Sequence, residues 1–179
     1  MHRLVLRFLL VAGLLAFPAP LCAQTSAVAP TRLPAELQPV ARRAGTIFSG
    51  RVTSIAPARP DALDRVATVT VTFAVDQALR GVPAGKTFSF REWAGLWSAG
   101  PRYRVGQRLL MFLYAPSALG LTSPVGGDAG RLPVDATGQV VLANRPQPSR
   151  LGSPPPTGVV AARLPLKDLA RELRRLGEE

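Results

Sequence analysis

Carboxylate pairs are the main route to catalysis left to this chain. Its one histidine, His2, and its one cysteine, Cys22, both fall in residues 1–23, which read as a removable leader. Beyond them the chain has no imidazole or thiol. That excludes a Ser-His-Asp triad, a Cys-His pair and a zinc site of the usual His/Cys kind. It also removes the side chain that changes charge between about pH 5 and 8. Glycosidases need two carboxylates at a defined separation. Asp61 with Asp64, or Glu92 with Asp128, are the pairs to consider, and their spacing favours neither. Asp61 and Asp64 sit in a loop that reads as solvated. Serine-lysine chemistry would need Lys86, beside a turn, or Lys167, on a surface helix. The expectation is a chain that is not an enzyme, with no cofactor and no metal.

The stretch "TSPVGGDAGRLPVD" (122–135) holds three glycines and two carboxylates. A phosphate-binding loop would continue into Lys-Ser/Thr at the start of a helix, whereas Arg131-Leu132-Pro133 follows. A repeated calcium loop needs aspartates at close, regular spacing, and Asp128 and Asp135 stand alone. The reading is a glycine-rich turn between strands. "REWAGLWSAGPRYR" (91–104) is the better binding candidate. Trp93, Trp97, Arg102, Tyr103 and Arg104 combine the side chains that anchor interfaces with flat rings that stack on sugars. The competing reading is that Trp93 and Trp97 cap the core, because a domain without disulfides needs its large apolar groups buried.

Arg3 and Arg7 precede the apolar run "FLLVAGLLAF" and then "PAPLCA". That is the layout of a secretory signal, too short for a permanent membrane span. Cleavage is expected after Ala23. Leu21 and Ala19 sit the wrong way round for lipidation of Cys22. The expected product is exported, periplasmic or secreted, with no permanent span. Its formal charge of +11 falls to +9 once Arg3 and Arg7 leave, and all but two of its basic residues are arginine. The arginines are scattered and aromatics make up only 6%, too few for a base-stacking platform, which argues against nucleic acid. The expected partner is a protein or envelope component, with an anionic glycan or lipid surface open to the arginines.

These residues must be positioned by a mostly β domain. After a flexible leader (24–31), "LPAELQPVARRAG" places Leu33, Leu37, Val40, Ala41 and Ala44 on one helical face, with Pro39 as a threat to its continuity. "TIFSGRVTSI" reads as a strand with a bulge or bend at Gly50. "VATVTVTFAVDQALRG" is the clearest strand: Val69, Val71, Phe73 and Val75 face one way and Thr70, Thr72, Ala74 and Asp76 the other. "KTFSFREW" resumes the alternation through Phe88 and Phe90. "QRLLMFLYAP" is apolar on both faces, as between two layers or deep in a closed barrel. "LGLTS", "RLPVD" and "GQVVLA" read as short hairpin strands, ending the domain at residue 144. A proline-rich linker (145–158) leads to a C-terminal segment (159–179). There Leu166, Leu169, Leu173 and Leu176 stripe an amphipathic helix opened by Pro165. That stripe could dock on its own domain or in a partner's groove.

This order of elements resembles bacterial secreted proteins of the netrin-like class, related in fold to tissue inhibitors of metalloproteinases. Gly50 and Val52 match the opening strand. Val71, Thr72, Phe73, Val75, Arg80 and Gly81 match the second, and Gly106, Arg108, Leu109, Phe112 and Leu113 a later one. The resemblance spans residues 44–123 and implies a small OB-like β-barrel, to which the helical spacing adds the short N-terminal and the amphipathic C-terminal helix. The family's cysteines are absent, including the N-terminal one that carries metalloproteinase inhibition, so that activity does not transfer. The expected function is an exported, non-catalytic binding module. A carboxylate-dependent hydrolase and a basic envelope structural protein contacting anionic polymer are the alternatives.

Overall fold

The computed structural model describes residues 32–58, 66–83, 85–142 and 162–178. The leader, the proline-rich linker, Asp61 and Asp64 lie outside them. The described residues form a mostly β domain with one short helix before the strands and one amphipathic helix after them. Helix α1 (Leu37–Arg43) precedes β1 (Thr46–Ala58), β2 (Thr68–Arg80) and β3 (Thr87–Trp93). A single 3-10 turn, Ala94–Trp97, leads towards β4 (Arg108–Leu113). Then come β5 (Arg131–Pro133), β6 (Gln139–Leu142), β7 (Ala162–Pro165) and α2 (Leu166–Glu178). Five strands make one antiparallel sheet in the order β3-β2-β1-β4-β5, and β6 pairs with β7 in a second.

Strand β4 organises the packing. Leu109, Leu110, Met111, Phe112 and Leu113 are all fully buried, and successive side chains of a strand point to opposite faces. Leu110 and Phe112 join a core completed by Leu37 and Val40 of α1, Val140 of β6, and Leu169 and Leu173 of α2. Leu109, Met111 and Leu113 join a second core of Phe48, Val71, Phe73, Phe90 and Tyr103. Edge-on ring contacts, such as Phe48 with Phe73 at 5.2 Å, order this second core. The alternation of β2 is as its sequence reads, with Val69, Val71, Phe73 and Val75 buried.

Strand β1 must serve both β2 and β4, and it does so by bending. Its register against β2 shifts at three places, one of them between Ser49 and Gly50. At Gly50 a Cβ would stand 2.5 Å from the carbonyl oxygen of Ala74, so only glycine lets the strands approach there. Pro39 does not split α1. It is the third residue of a helix starting at Leu37, within the first turn, where amide hydrogens have no intrahelical acceptor.

Two expectations need correction. The sheet does not close into a barrel. "LGLTS" contributes one parallel bridge, Arg91 with Leu121, instead of a strand. Its neighbourhood folds on itself, with Ser117 N–H donating to Leu121 O at 2.8 Å and Gly120 N–H to Ser117 O at 2.8 Å. "RLPVD" yields β5, which pairs with β4, and its Val134 bridges antiparallel to Val140 of β6, as a hairpin requires. Strand β7 was not expected, and Pro165 is its last residue as well as the residue before α2.

The stripe of α2 is occupied within the chain: Leu166, Leu169 and Leu173 are at most 3% exposed, whereas Leu176 is 37% exposed. It therefore presents only Leu176 to a partner. Leu169→Ala should cost about 2–5 kcal/mol in urea unfolding, and Leu176→Ala within about 0.5–1 kcal/mol. Equal, small losses would mean that the helix does not complete this core.

Candidate functional site

The loop from Trp93 to Gln107 is organised by a buried carboxylate. In β3, Phe88, Phe90 and Glu92 share one face, and Glu92 continues that apolar face with a charge. Its side chain has no exposed surface. Tyr103 Oη donates to Oε1 at 3.0 Å and Trp97 Nε1 to Oε2 at 3.0 Å. Arg102 Nε lies 3.2 Å from Oε2, but its N–H is not aligned for a hydrogen bond, so this contact is Coulombic. Arg131 closes the arrangement from β5. It donates to Arg102 O, pairs with Asp128, and sits 5.2 Å over the Tyr103 ring.

Burial pushes the Glu92 carboxyl above its ordinary value of 4.5, against the Arg102 charge and the bonds from Tyr103 and Trp97, which pull it down. Burial also raises the Tyr103 phenol, and the neighbouring Glu92 charge raises it further, so Tyr103 stays a donor. Neither carboxylate of the Glu92 and Asp128 pair is placed for acid-base work on a shared substrate. Glu92 is sealed from solvent, while the side chain of Asp128 is 80% exposed and held by Arg131.

Of the five aromatic and arginine candidates, the structure thus gathers Trp97, Arg102 and Tyr103 around Glu92 and leaves Trp93 and Arg104 outward. Tyr103 is 1% exposed and packs in the core, out of reach of a ligand. Glu92, absent from the candidate binding residues, is the centre. The signal for it was a charge in the buried register of a strand. The segment 122–135 is a turn: a 3-10 turn at Gly127–Gly130, entered through Gly126 and Gly127 with φ near +65°. Among the described residues no group of His, Cys, Asp and Glu could hold a metal ion, and no helix is long and apolar enough to cross a membrane.

The outward face of this loop forms a shallow groove of about 280 Å³. Trp93 and Leu96 line one side, and Tyr114, Leu121, Thr122 and Ser123 the other. It lies on the seam where the sheet fails to close. Thr122 N–H donates to Arg91 O at 2.9 Å and Arg91 Nη2 to Leu119 O at 2.7 Å across it. Trp93 is 53% exposed, Leu96 37% and Tyr114 38%. The Trp93 indole lies against the backbone of Gly95, where a Cβ would come within 2.3 Å of the ring.

No family model matches this chain, and no curated protein or solved structure does. The site is therefore read from its own chemistry. Glu92 is a staple that fixes the loop under Trp93. Its carboxyl pKa is raised in the fold, so the folded state binds the proton more tightly than the unfolded chain. The stabilisation from that proton is complete below the ordinary 4.5 and is lost as pH rises through the folded value. Glu92→Gln keeps the shape and cannot titrate, and its amide can donate to Tyr103 Oη. Denaturant titrations from about pH 4 to about pH 7 should show the wild type losing stability relative to Glu92→Gln. A difference independent of pH would mean that Glu92 does not titrate in this range.

Proposed function

We propose that this chain is an exported, non-catalytic binding module whose ligand seats in the groove between Trp93 and Tyr114. The observation that carries the reading is the placement of Trp93. Most of the aromatic rings of the described residues are buried or half-buried, whereas this indole lies flat on Gly95 with 53% of its surface exposed. Exposed rings beside hydroxyl groups suit a sugar ring, which offers an apolar face and a polar rim. The ligand class is therefore a saccharide unit of an envelope glycan. Export, cleavage after Ala23 and the netrin-like resemblance belong to the same proposal. The absence of catalysis is supported by Glu92, the carboxylate with a raised pKa, being closed off from any substrate.

Tryptophan fluorescence, titrated with soluble fragments of envelope polysaccharide, tests this. Trp93→Ala should weaken binding about tenfold or more and leave the melting temperature within a few degrees. Gly95→Ala keeps the indole but displaces it, and should weaken binding as well. Unchanged affinity in both variants would sink the reading. A collapse of stability in Trp93→Ala would assign the ring to the core.

A further inference from the structure

At the other end of β4, beside Arg108, the two sheets and α2 meet around a pocket of about 380 Å³. Its polar lining comes from four separate elements: Gln77 of β2, Arg108 of β4, Thr137 and Gln139 of the turn into β6, and Lys167 of α2. The lining holds two cations and two amides and no carboxylate. From this geometry we infer that the pocket binds a compact oxyanion, the phosphate or carboxylate group of a small molecule.

One of the donors is held in place, and their bonding capacity is left unused. Asp76 fixes the Arg108 guanidinium through Nε at 2.8 Å. Its terminal nitrogens have no partner among the described residues, and neither do the Lys167 ammonium nor the side-chain amides of Gln77 and Gln139. Arg108 offers a planar fork and Lys167 a point charge, the two complementary ways in which side chains grip oxyanions.

The walls are rigid. Asp135 Oδ1 accepts from Thr137 N at 2.9 Å, Thr137 Oγ1 at 2.6 Å and Gln139 N at 2.9 Å, which locks the turn. These bonds also hold the Asp135 carboxyl below its ordinary value. The first amide of α2 is already committed, since Leu166 N–H donates to Gly138 O at 3.0 Å. Recognition therefore rests on side chains and not on the helix terminus. The other nearby acid, Asp168, is paired with Arg171 at 3.6 Å. Convergent polar groups from distant parts of the sequence, with their own bonding capacity unfilled, are the mark of a ligand pocket.

The test is calorimetric titration of the full chain with inorganic phosphate and, separately, citrate, at constant ionic strength set by chloride. Saturable binding of phosphate alone would assign a phosphoryl ligand, and of citrate alone a polycarboxylate. Lys167→Ala, on an exposed helical position, should weaken either about tenfold. Arg108→Gln should do the same. Arg174→Ala, on the same helix and outside the pocket, should change nothing. Absence of saturable binding by both anions would overturn the inference. So would an equal loss in Arg174→Ala, because the binding would then follow overall charge.

Discussion

Between Leu109 and Leu113 every side chain of β4 is fully buried, and that double burial constrains the rest. A strand with two apolar faces needs two covers. One is built from α1, α2 and the small second sheet, and the other from β1, β2 and β3 together with the loop carrying Tyr103. Burying an aliphatic side chain of this size is worth about 1.5–3 kcal/mol. Exposure of either face would therefore cost more than a domain of this size could tolerate. The C-terminal helix belongs to the minimal fold for this reason.

The same demand explains the shape of the functional face. The second core is filled from one sheet and one loop, so the loop must be held down. Glu92 does this by drawing Trp97 and Tyr103 inward, and Arg102 and Arg131 offset its charge. Removing one partner would leave a buried charge without compensation, which is far costlier than a buried pair is stabilising. Trp93 is left outside by the alternation of the strand: it follows Glu92 directly, so it points the other way. The groove is thus a consequence of the staple beneath it.

What the sequence made legible follows from period. Strand β2 alternates Val, Val, Phe, Val, strand β4 is an unbroken apolar run, and α2 repeats leucine at helical spacing, so each could be read locally. Strand β7 could not. "ARLP" has no alternation, and it is a strand only because β6 accepts it, with Val140 opposite Leu164. Barrel closure failed for a similar reason. "LGLTS" carries β-like residues, but Gly120 adopts φ +68° and turns the segment back on itself, so that local bonding won over the ladder. At the site, the cluster of Trp97, Arg102 and Tyr103 was visible as composition, whereas its centre was visible only as register: Glu92 two residues after Phe90 on a buried face.

Arginine gives the same lesson about charge. A chain whose described residues contain no cysteine must fix its loops by other means. Arg51 donates to the carbonyl of Gly106, 55 residues away, at 3.0 Å. Arg80 donates to Ala41 O at 2.9 Å and Ala44 O at 3.0 Å, capping α1 from β2. Arg91 reaches Leu119 O, and Arg131 reaches Arg102 O. Each contact closes a long loop with a charge-assisted bond, stronger than a neutral one. In Arg80 one guanidinium nitrogen, Nη1, serves both carbonyls. Four of the arginines behind the net charge of +11 therefore point at the protein's own backbone. The charge itself is weaker grounds for an anionic polymer partner than its size suggests.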